Sequence, residues 1–174
     1  MEAGKLKIIN AKLEYLSDKN IKAIVEIEQH PAVRRWLTDY ENEDFKTELD
    51  SYRKFFQELV NNNKVEVLVA KIDDQIVGFL ALWHMEEYNE HTRSIGISVH
   101  PDYWGKGIAT ALIKESIKLA RKIGAKKIII ETLKENYAMR HAAEKTGFKM
   151  EIIRERKVQK NGKCYDEVVY TLNL

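Results

Sequence analysis

Hydrophobic and polar positions in residues 94–148 follow a strand–helix–strand–helix pattern, around which the rest of the chain is arranged. Ile95, Ile97 and Val99 alternate with smaller or polar residues, and a period of two is typical of a strand. Pro101 lacks the N–H group that a further ladder hydrogen bond would need. The pattern therefore predicts a strand that ends just before this proline.

A helix and a second strand are predicted directly after this strand. Apolar positions recur at helical spacing from Ile108 onwards, and Gly124 ends the helix, as glycines commonly do. The predicted buried face consists of Ala109, Leu112, Ile113, Leu119, Ala120 and Ile123. Lys127–Leu133 contains three consecutive isoleucines, which favours a strand covered on both faces. These elements together predict a βαβ unit with parallel strands and a right-handed crossover.

The remaining pattern predicts an α+β fold in a single domain, residues 1–174, with helices flanking a mixed sheet. This sheet is expected to be mostly antiparallel, with the βαβ pair as its central parallel pair. Further strands are predicted at Leu6–Asn10, Val65–Ile72, 76–83, 150–158 and 164–172. Ser17 or Asp18 is expected to cap a first helix that His30-Pro31 ends, and residues 45–59 form a second. The hairpin turns are predicted at Asp73-Asp74-Gln75 and Asn161-Gly162.

Composition narrows the classes of function. The formal net charge is +2 with acidic and basic residues interleaved, which gives no reason to expect nucleic-acid binding. The one cysteine, Cys164, excludes an internal disulfide and favours a reducing compartment. The N-terminal stretch contains no long apolar run, so no signal peptide or membrane span is predicted and we expect a cytoplasmic protein. Charged residues make up 32%, rich in Lys and Glu, which indicates a thermophilic source. The histidines show no metal-ligand spacing, so no metal is predicted.

A glycine turn follows the first strand at the carboxyl edge of the parallel pair, where open α/β sheets bind ligands. Gly105 and Gly107 lack a Cβ, so an anionic group can approach the backbone and the free N–H groups that begin the next helix. Such a turn can hold a phosphate group, although Gly-x-Gly also occurs in simple tight turns. Lys106 between the glycines excludes a Walker-type loop. A dinucleotide fingerprint stays open, because the acidic Glu131 follows on the next strand, although Thr110 stands where its third glycine would be.

Residues 104–109, Trp-Gly-Lys-Gly-Ile-Ala, resemble the acetyl-CoA pyrophosphate loop of the GNAT N-acetyltransferases, which reads Gln/Arg-x-x-Gly-x-Gly/Ala. Gly107 and Ala109 match this motif, whereas Trp104 stands where Gln or Arg is usual. The likeness continues through Asn136 and through Glu-Lys-Thr-Gly-Phe, which ends at Phe148. It is strongest toward the ribosomal-protein and small-amine N-acetyltransferases of the family.

This resemblance implies cofactor contacts along the strand, the turn and the helix. Ile97, Ser98 and Val99 would pair with the pantetheine arm as another strand would, and the Val99 N–H would donate to the reaction oxyanion. The implied contacts of the turn and the helix are Gly105, Lys106, Gly107, Ile108, Ala109 and Thr110. Asn136 either contacts the pantetheine through its amide or caps the helix that begins at Tyr137.

A proton acceptor is also expected, because a protonated amine cannot attack a thioester. Glu131 follows the three isoleucines at the ligand edge and stands five residues before Asn136, as the base of the ribosomal-protein enzymes does. The alternatives are a solvated glutamate at the strand end or one held in an ion pair. Many family members carry a general-acid tyrosine where this chain has Ala143, so no general acid is assigned.

The acceptor is expected to be a primary amine: a small amine, a polyamine or a protein N-terminus. An acidic segment could attract a cationic amine, or could be a solvated face; its members are Asp39, Glu41, Glu43, Asp44, Glu48 and Asp50. Glu86, Glu87 and Glu90 could contribute from a second loop. A non-catalytic acyl-CoA-binding sensor is the alternative function, and the edge of the terminal hairpin could pair in a homodimer.

Overall fold

In the computed structural model, which describes residues 4–38, 43–85 and 91–174, seven strands form one sheet in the order β1-β2-β3-β4-β5-β7-β6. The strands are β1 (Leu6–Asn10), β2 (Val65–Ile72), β3 (Gln75–His84), β4 (Thr92–Val99), β5 (Lys127–Leu133), β6 (Lys149–Lys160) and β7 (Lys163–Asn173). The helices are α1 (Asp18–Gln29), α2 (Pro31–Arg34), α3 (Phe45–Glu58), α4 (Ile108–Lys122) and α5 (Tyr137–Lys145).

One neighbouring pair in the sheet, β4 and β5, is parallel, and the other pairs are antiparallel. The predicted α+β fold with a central βαβ pair is therefore confirmed. Both hairpin turns use backbone with positive φ, at 49° for Asp73, 62° for Asp74, 50° for Asn161 and 73° for Gly162. This conformation gives the twist that joins two antiparallel strands tightly.

Two apolar clusters cover the two faces of the sheet. On one face α4 and α5 pack over β2–β5, with Leu112 and Ile113 of α4 fully buried. On the other face α1 and α3 pack over β1–β3, with Ile24 and Val25 at the centre. Burial of Ile128, Ile129 and Ile130 on β5 confirms that this strand is covered on both faces.

Several details differ from the sequence prediction. Ile123 is 37% exposed, because α4 ends at Lys122 and its buried stripe instead runs through Ile108, Leu112, Ile113, Ser116, Ile117 and Ala120. Gln75 belongs to β3 and not to the turn. Pro31–Arg34 adds a short helix, for which His30 Nδ1 accepts a hydrogen bond from the Ala32 N–H at 3.2 Å.

The tip of the β6–β7 hairpin is tied to α2. The Lys160 ammonium donates hydrogen bonds to the carbonyl oxygens of Arg34, Arg35 and Leu37 at 2.9, 3.0 and 2.8 Å. These carbonyls lie at and just beyond the C-terminal end of α2, where acceptors are available for a side-chain donor. At the other end of α2, the ring centroid of its N-cap His30 lies 5.9 Å from that of His100, which directly follows β4. Within the described ranges, no helix has the length and apolar character needed to cross a membrane.

Candidate active site

The two parallel strands separate at their carboxyl ends. Their pairing runs from Thr92 opposite Lys127 to Ile95 opposite Ile130 and ends there. Beyond this point residues 96–99 of β4 remain paired with β3, while residues 131–133 of β5 remain paired with β7. The sheet therefore opens into a wedge-shaped gap between β4 and β5.

Backbone groups of β4 point into this gap. The His100 N–H donates to the Val77 carbonyl at 2.8 Å, which fixes the phase of the antiparallel β3–β4 ladder. Because successive residues of a strand direct their N–H and C=O groups to opposite sides, Ile97 and Val99 direct theirs away from β3 and toward the gap. This is the geometry that an added extended chain, such as a pantetheine arm, needs for strand-like pairing.

The glycine turn lies just beyond β4 and begins α4. Gly105 and Gly107 have φ of 73° and 76°, in the left-handed region that disfavours side chains. A Cβ built on either glycine would meet no atom within 4 Å, so the surface in front of the turn is open. The Ala111 N–H makes the first intrahelical bond, to Gly107 O at 2.9 Å, which leaves the N–H groups of residues 108–110 free of intrahelical partners. These donors at the positive end of a 15-residue helix fit a pyrophosphate.

Trp104 turns its indole toward the gap. Its Nε1–H donates to the Val99 carbonyl oxygen at 2.7 Å, although the side chain is 46% exposed. The Val99 carbonyl is thus engaged by the loop residue that stands where the acetyl-CoA loop motif has Gln or Arg. Lys106, the cation of the same turn, lies with Nζ 4.7 Å from the centroid of the Tyr103 ring.

Glu131 is held in an ion pair. Arg154 Nη1 lies 2.6 Å from Glu131 Oε1 and 2.8 Å from Glu167 Oε2, so one guanidinium joins β5, β6 and β7. The Arg154 guanidinium thus occupies one oxygen of the Glu131 carboxylate through a charge-assisted hydrogen bond. The geometry thus favours the ion-pair alternative for Glu131.

Sequence reasoning missed a second carboxylate, Glu28. Its Oε1 accepts a hydrogen bond from the Ser98 hydroxyl of β4 at 3.0 Å, and its Oε2 accepts one from the Tyr52 hydroxyl of α3. Burial raises the pKa of Glu28, and the two hydrogen bonds oppose that rise. The sequence did contain a signal that this carboxylate faces the protein interior, because Glu28 continues the helical spacing of the buried residues Ile21, Ile24 and Val25.

Three described members of the acidic segment, Asp44, Glu48 and Asp50, make contacts within the protein. Asp44 caps α3 by accepting hydrogen bonds from the N–H groups of residues 46 and 47, and Asp50 pairs with Arg53 at 2.9 Å. Glu48 accepts a hydrogen bond from Gln29 and lies among the groups around Glu28. Asp39, Glu41, Glu86, Glu87 and Glu90 lie outside the described residues.

Residues 30–148 match the Acetyltransferase (GNAT) family. The chain belongs to this family. As a GNAT member it is an acetyltransferase that uses acetyl-CoA as the acetyl donor. This membership favours the enzyme over the acyl-CoA sensor and the dinucleotide-binding protein that the sequence left open.

The relatives of this GNAT chain include enzymes named for ribosomal proteins. A candidate ribosomal protein bS18-alanine N-acetyltransferase of Bacillus subtilis is 22% identical over 158 residues, covering 91% of this chain and 90% of the relative. The fold matches a candidate acetyltransferase of Salmonella typhimurium solved with acetyl-CoA, with a TM-score of 0.77, 21% identity and coverage of 97% and 94% of the two chains. It also matches a ribosomal-protein-alanine N-acetyltransferase of Brucella melitensis, with a TM-score of 0.76, 19% identity and coverage of 97% and 99%. At these identities the structural matches establish the fold.

Asn136 and Ala143 complete the comparison with the GNAT motifs. Asn136 caps α5, because its Oδ1 accepts from the Met139 N–H at 3.2 Å, and its Nδ2 donates to the Thr132 hydroxyl at 3.2 Å. The capping alternative is thereby confirmed, and one amide hydrogen is left for a ligand. Ala143 is fully buried in the α4–α5 cluster and has no acidic group. A general acid at this position is therefore absent.

Proposed function

We propose that this enzyme transfers the acetyl group of acetyl-CoA directly to a primary amine. The observation that carries the proposal is the gap between β4 and β5, into which Ile97 and Val99 direct backbone groups above the glycine turn. Acetyl-CoA supplies an activated thioester. Direct transfer is favoured because the sole cysteine, Cys164, is exposed near the start of β7, beside the hairpin turn and away from the gap.

Each part of the cofactor would have its own contact in the chain. In the segment Ile97-Ser98-Val99, the backbone groups of Ile97 and Val99 would pair with the pantetheine arm, while those of Ser98 face β3. Residues 105–110 would hold the pyrophosphate through backbone N–H groups and Lys106. The Val99 N–H would donate to the oxyanion, since a donor fixed in a sheet needs no reorientation when the charge develops. The second amide hydrogen of Asn136 would reach the pantetheine.

The acceptor class is a primary amine on a small molecule, a polyamine or a protein N-terminus. The names of the Bacillus and Brucella relatives support a protein N-terminus as one of these candidates. The half-buried Glu28 and Glu48 on the α1–α3 face support a cationic amine of any of the three kinds.

Calorimetry with acetyl-CoA and a thiol-release assay together test this function. The assay would use a peptide with N-terminal alanine, a peptide with N-terminal serine, spermidine and an amino-sugar antibiotic as acceptors. We expect acetyl-CoA binding, and thiol release with at least one of these amines. Binding without thiol release on any amine would contradict transfer, and a lack of binding would contradict the cofactor site.

A pair of glycine variants at the two ends of α4 tests the pyrophosphate contact. Gly107→Glu would place a carboxylate in front of the turn and should abolish acetyl-CoA binding. Gly124→Glu is the matched control, because Gly124 has a φ of 80° and equally open surroundings at the other end of the helix. If both variants lost acetyl-CoA binding equally, backbone strain, and not the loss of the pyrophosphate contact at the glycine turn, would be the cause.

A cytoplasmic location and a homodimer stay predictions. The single cysteine supports the reducing compartment. The outer strand β6 supports self-association, because it exposes Met150, Ile152 and Ile153 at 47%, 44% and 45%. Sedimentation equilibrium of the wild type beside Ile152→Lys measures the association, and a monomeric wild type would contradict it.

A further inference from the structure

Glu28 places a carboxylate beside the strand that carries the proposed oxyanion donor, and no sequence motif marks it. We propose that Glu28 is the general base that takes the proton of the acceptor ammonium, and that Ser98 and Tyr52 are positioning residues that hold its carboxylate. This inference rests on the proposed N-acetyltransferase function and names the proton acceptor of that same site.

Glu28 lies on the face of the sheet from which an amine can approach. Ile97 and Val99 pack against the α4–α5 cluster, so that face of β4 is filled. Ser98, between them, points to the opposite face, where it meets Glu28 of α1. An amine that attacks a thioester in the β4–β5 gap therefore comes from the side on which the Glu28 carboxylate lies.

The distance between the Glu28 carboxylate and the Val99 N–H suits proton transfer from a bound amine. The Ser98 hydroxyl belongs to the residue before Val99, and Glu28 Oε1 lies 3.0 Å from that hydroxyl. Backbone geometry then puts Oε1 within about 7 Å of the Val99 nitrogen. A thioester oxygen bound to that N–H at about 2.9 Å leaves room for the amine nitrogen, directly or through one water, between the acetyl carbon and Glu28.

The groups around Glu28 change the pKa of its carboxyl in the direction that a general base needs. Burial raises the pKa of its carboxyl, and Glu48 of α3 adds to the rise, whereas Arg34 of α2 and the hydrogen bonds from Tyr52 and Ser98 oppose it. A base with a raised pKa takes a proton from an ammonium more readily than an ordinary carboxylate does. The same burial raises the pKa of Tyr52, so its hydroxyl stays protonated and remains a donor.

The ammonium gives one proton to Glu28, which later releases it to solvent. The freed nitrogen lone pair forms the N–C bond to the acetyl carbon, and the C–S bond breaks with its electron pair leaving on sulfur. The second nitrogen proton passes through solvent to that sulfur, which gives the amide, the free thiol and one released proton.

Glu28→Gln is the direct test, assayed by thiol release with whichever amine of the four-member panel the wild type turns over fastest. We expect kcat to fall at least about 100-fold, the dissociation constant for acetyl-CoA to stay within twofold, and the acidic limb of the pH–rate profile to disappear. Glu26→Gln, at an exposed position of the same helix, is the matched control and should behave as the wild type. Wild-type kcat with an intact acidic limb in Glu28→Gln would overturn the inference.

The pH profile separates a catalytic from a structural contribution. Activity should fall as the pH falls through the raised pKa of Glu28, because the base must be ionised. Ser98→Ala removes a donor to the carboxylate, so its acidic limb should move to higher pH, a shift that mere destabilisation would not cause. His100 follows β4, and its ring centroid lies 5.9 Å from that of His30, so His100→Asn is the control for a nearby imidazole and should leave the limb in place.

Glu131→Gln decides between the two carboxylates. If that variant loses turnover and the acidic limb while Glu28→Gln keeps both, Glu131 is the base and the inference fails. If Glu28→Gln does not fold, an unmoved limb in Ser98→Ala would overturn the inference by itself. No thiol release by the wild type with any of the four amines would instead show that the proposed function fails.

Discussion

Trp104 occupies a backbone acceptor at the edge of the gap between β4 and β5. In the proposed binding mode, strand-like pairing with β4 uses the Val99 carbonyl, which accepts a hydrogen bond from the Trp104 indole N–H at 2.7 Å. Acetyl-CoA must displace this contact, so Trp104→Phe, which removes the donor and keeps an aromatic ring, should tighten acetyl-CoA binding about 2- to 10-fold, the value of one hydrogen bond. Calorimetry measures the change, with Trp36→Phe as a control at a residue of the chain outside the loop. Weaker binding in Trp104→Phe would mean that the indole itself contacts the cofactor.

A single substitution can separate the helix cap that Asn136 forms from the pantetheine contact proposed for it. Aspartate caps helices as well as asparagine does, but it cannot donate. The Thr132 hydroxyl, which accepts from Asn136 Nδ2, can instead donate to an aspartate. We therefore expect Asn136→Asp to keep wild-type thermal stability while weakening acetyl-CoA binding severalfold. Asn136→Ala should lower the free energy of unfolding by about 1 kcal/mol as well. Unchanged binding in Asn136→Asp would leave Asn136 a helix cap alone.

At the scale of elements, α4 shows where helical periodicity predicts burial well and where it fails. Leu112 is fully buried against the sheet, whereas Ile123 lies one residue past the helix and is 37% exposed. Leu112→Ala should lower the free energy of unfolding by about 3 kcal/mol, since it leaves a cavity in a packed core. Ile123→Ala should cost less than about 0.5 kcal/mol. Urea unfolding measures both, and comparable losses would contradict the placement of α4.

The elements that the sequence predicts well are those whose signals are local. The isoleucines of β5, the turn at Asn161-Gly162 and the glycine turn each depend on neighbours along the chain. Contacts across the sheet gave no such signal. Arg154 reaches Glu131 because β7 lies between β5 and β6, an order that reverses the sequence order of the last two strands.

In the candidate site, too, the parts with local sequence signals were predictable and the contacts between distant residues were not. The strand and the glycine turn could be read from spacing, and the structure brings their backbone groups to one edge of the sheet. The pairing of Glu28 with Ser98 joins residues 70 positions apart, so it depends on how α1 docks on the sheet. What could not be predicted is therefore the set of side chains that tertiary packing, and not local pattern, brings together.

At the scale of the whole molecule, Lys160 ties the C-terminal hairpin to α2, which packs on the face of the sheet from which we propose that the amine approaches. Its ammonium donates to three carbonyls at the end of α2, and Arg34 of that helix in turn donates to Gln29 Oε1 at 2.7 Å, beside Glu28.

Lys160→Met keeps an apolar stem and removes the donors, so the free energy of unfolding should fall by about 1 kcal/mol. Since α2 would then be held less firmly, KM for the amine should rise severalfold, while acetyl-CoA binding in the proposed β4–β5 gap should stay unchanged. Urea unfolding and steady-state kinetics measure the two effects, with the exposed Lys157→Met as the control for loss of one positive charge on β6. A loss of stability with an unaltered KM would show that α2 does not shape the acceptor site, because the tie would then stabilise the fold without reaching the bound amine.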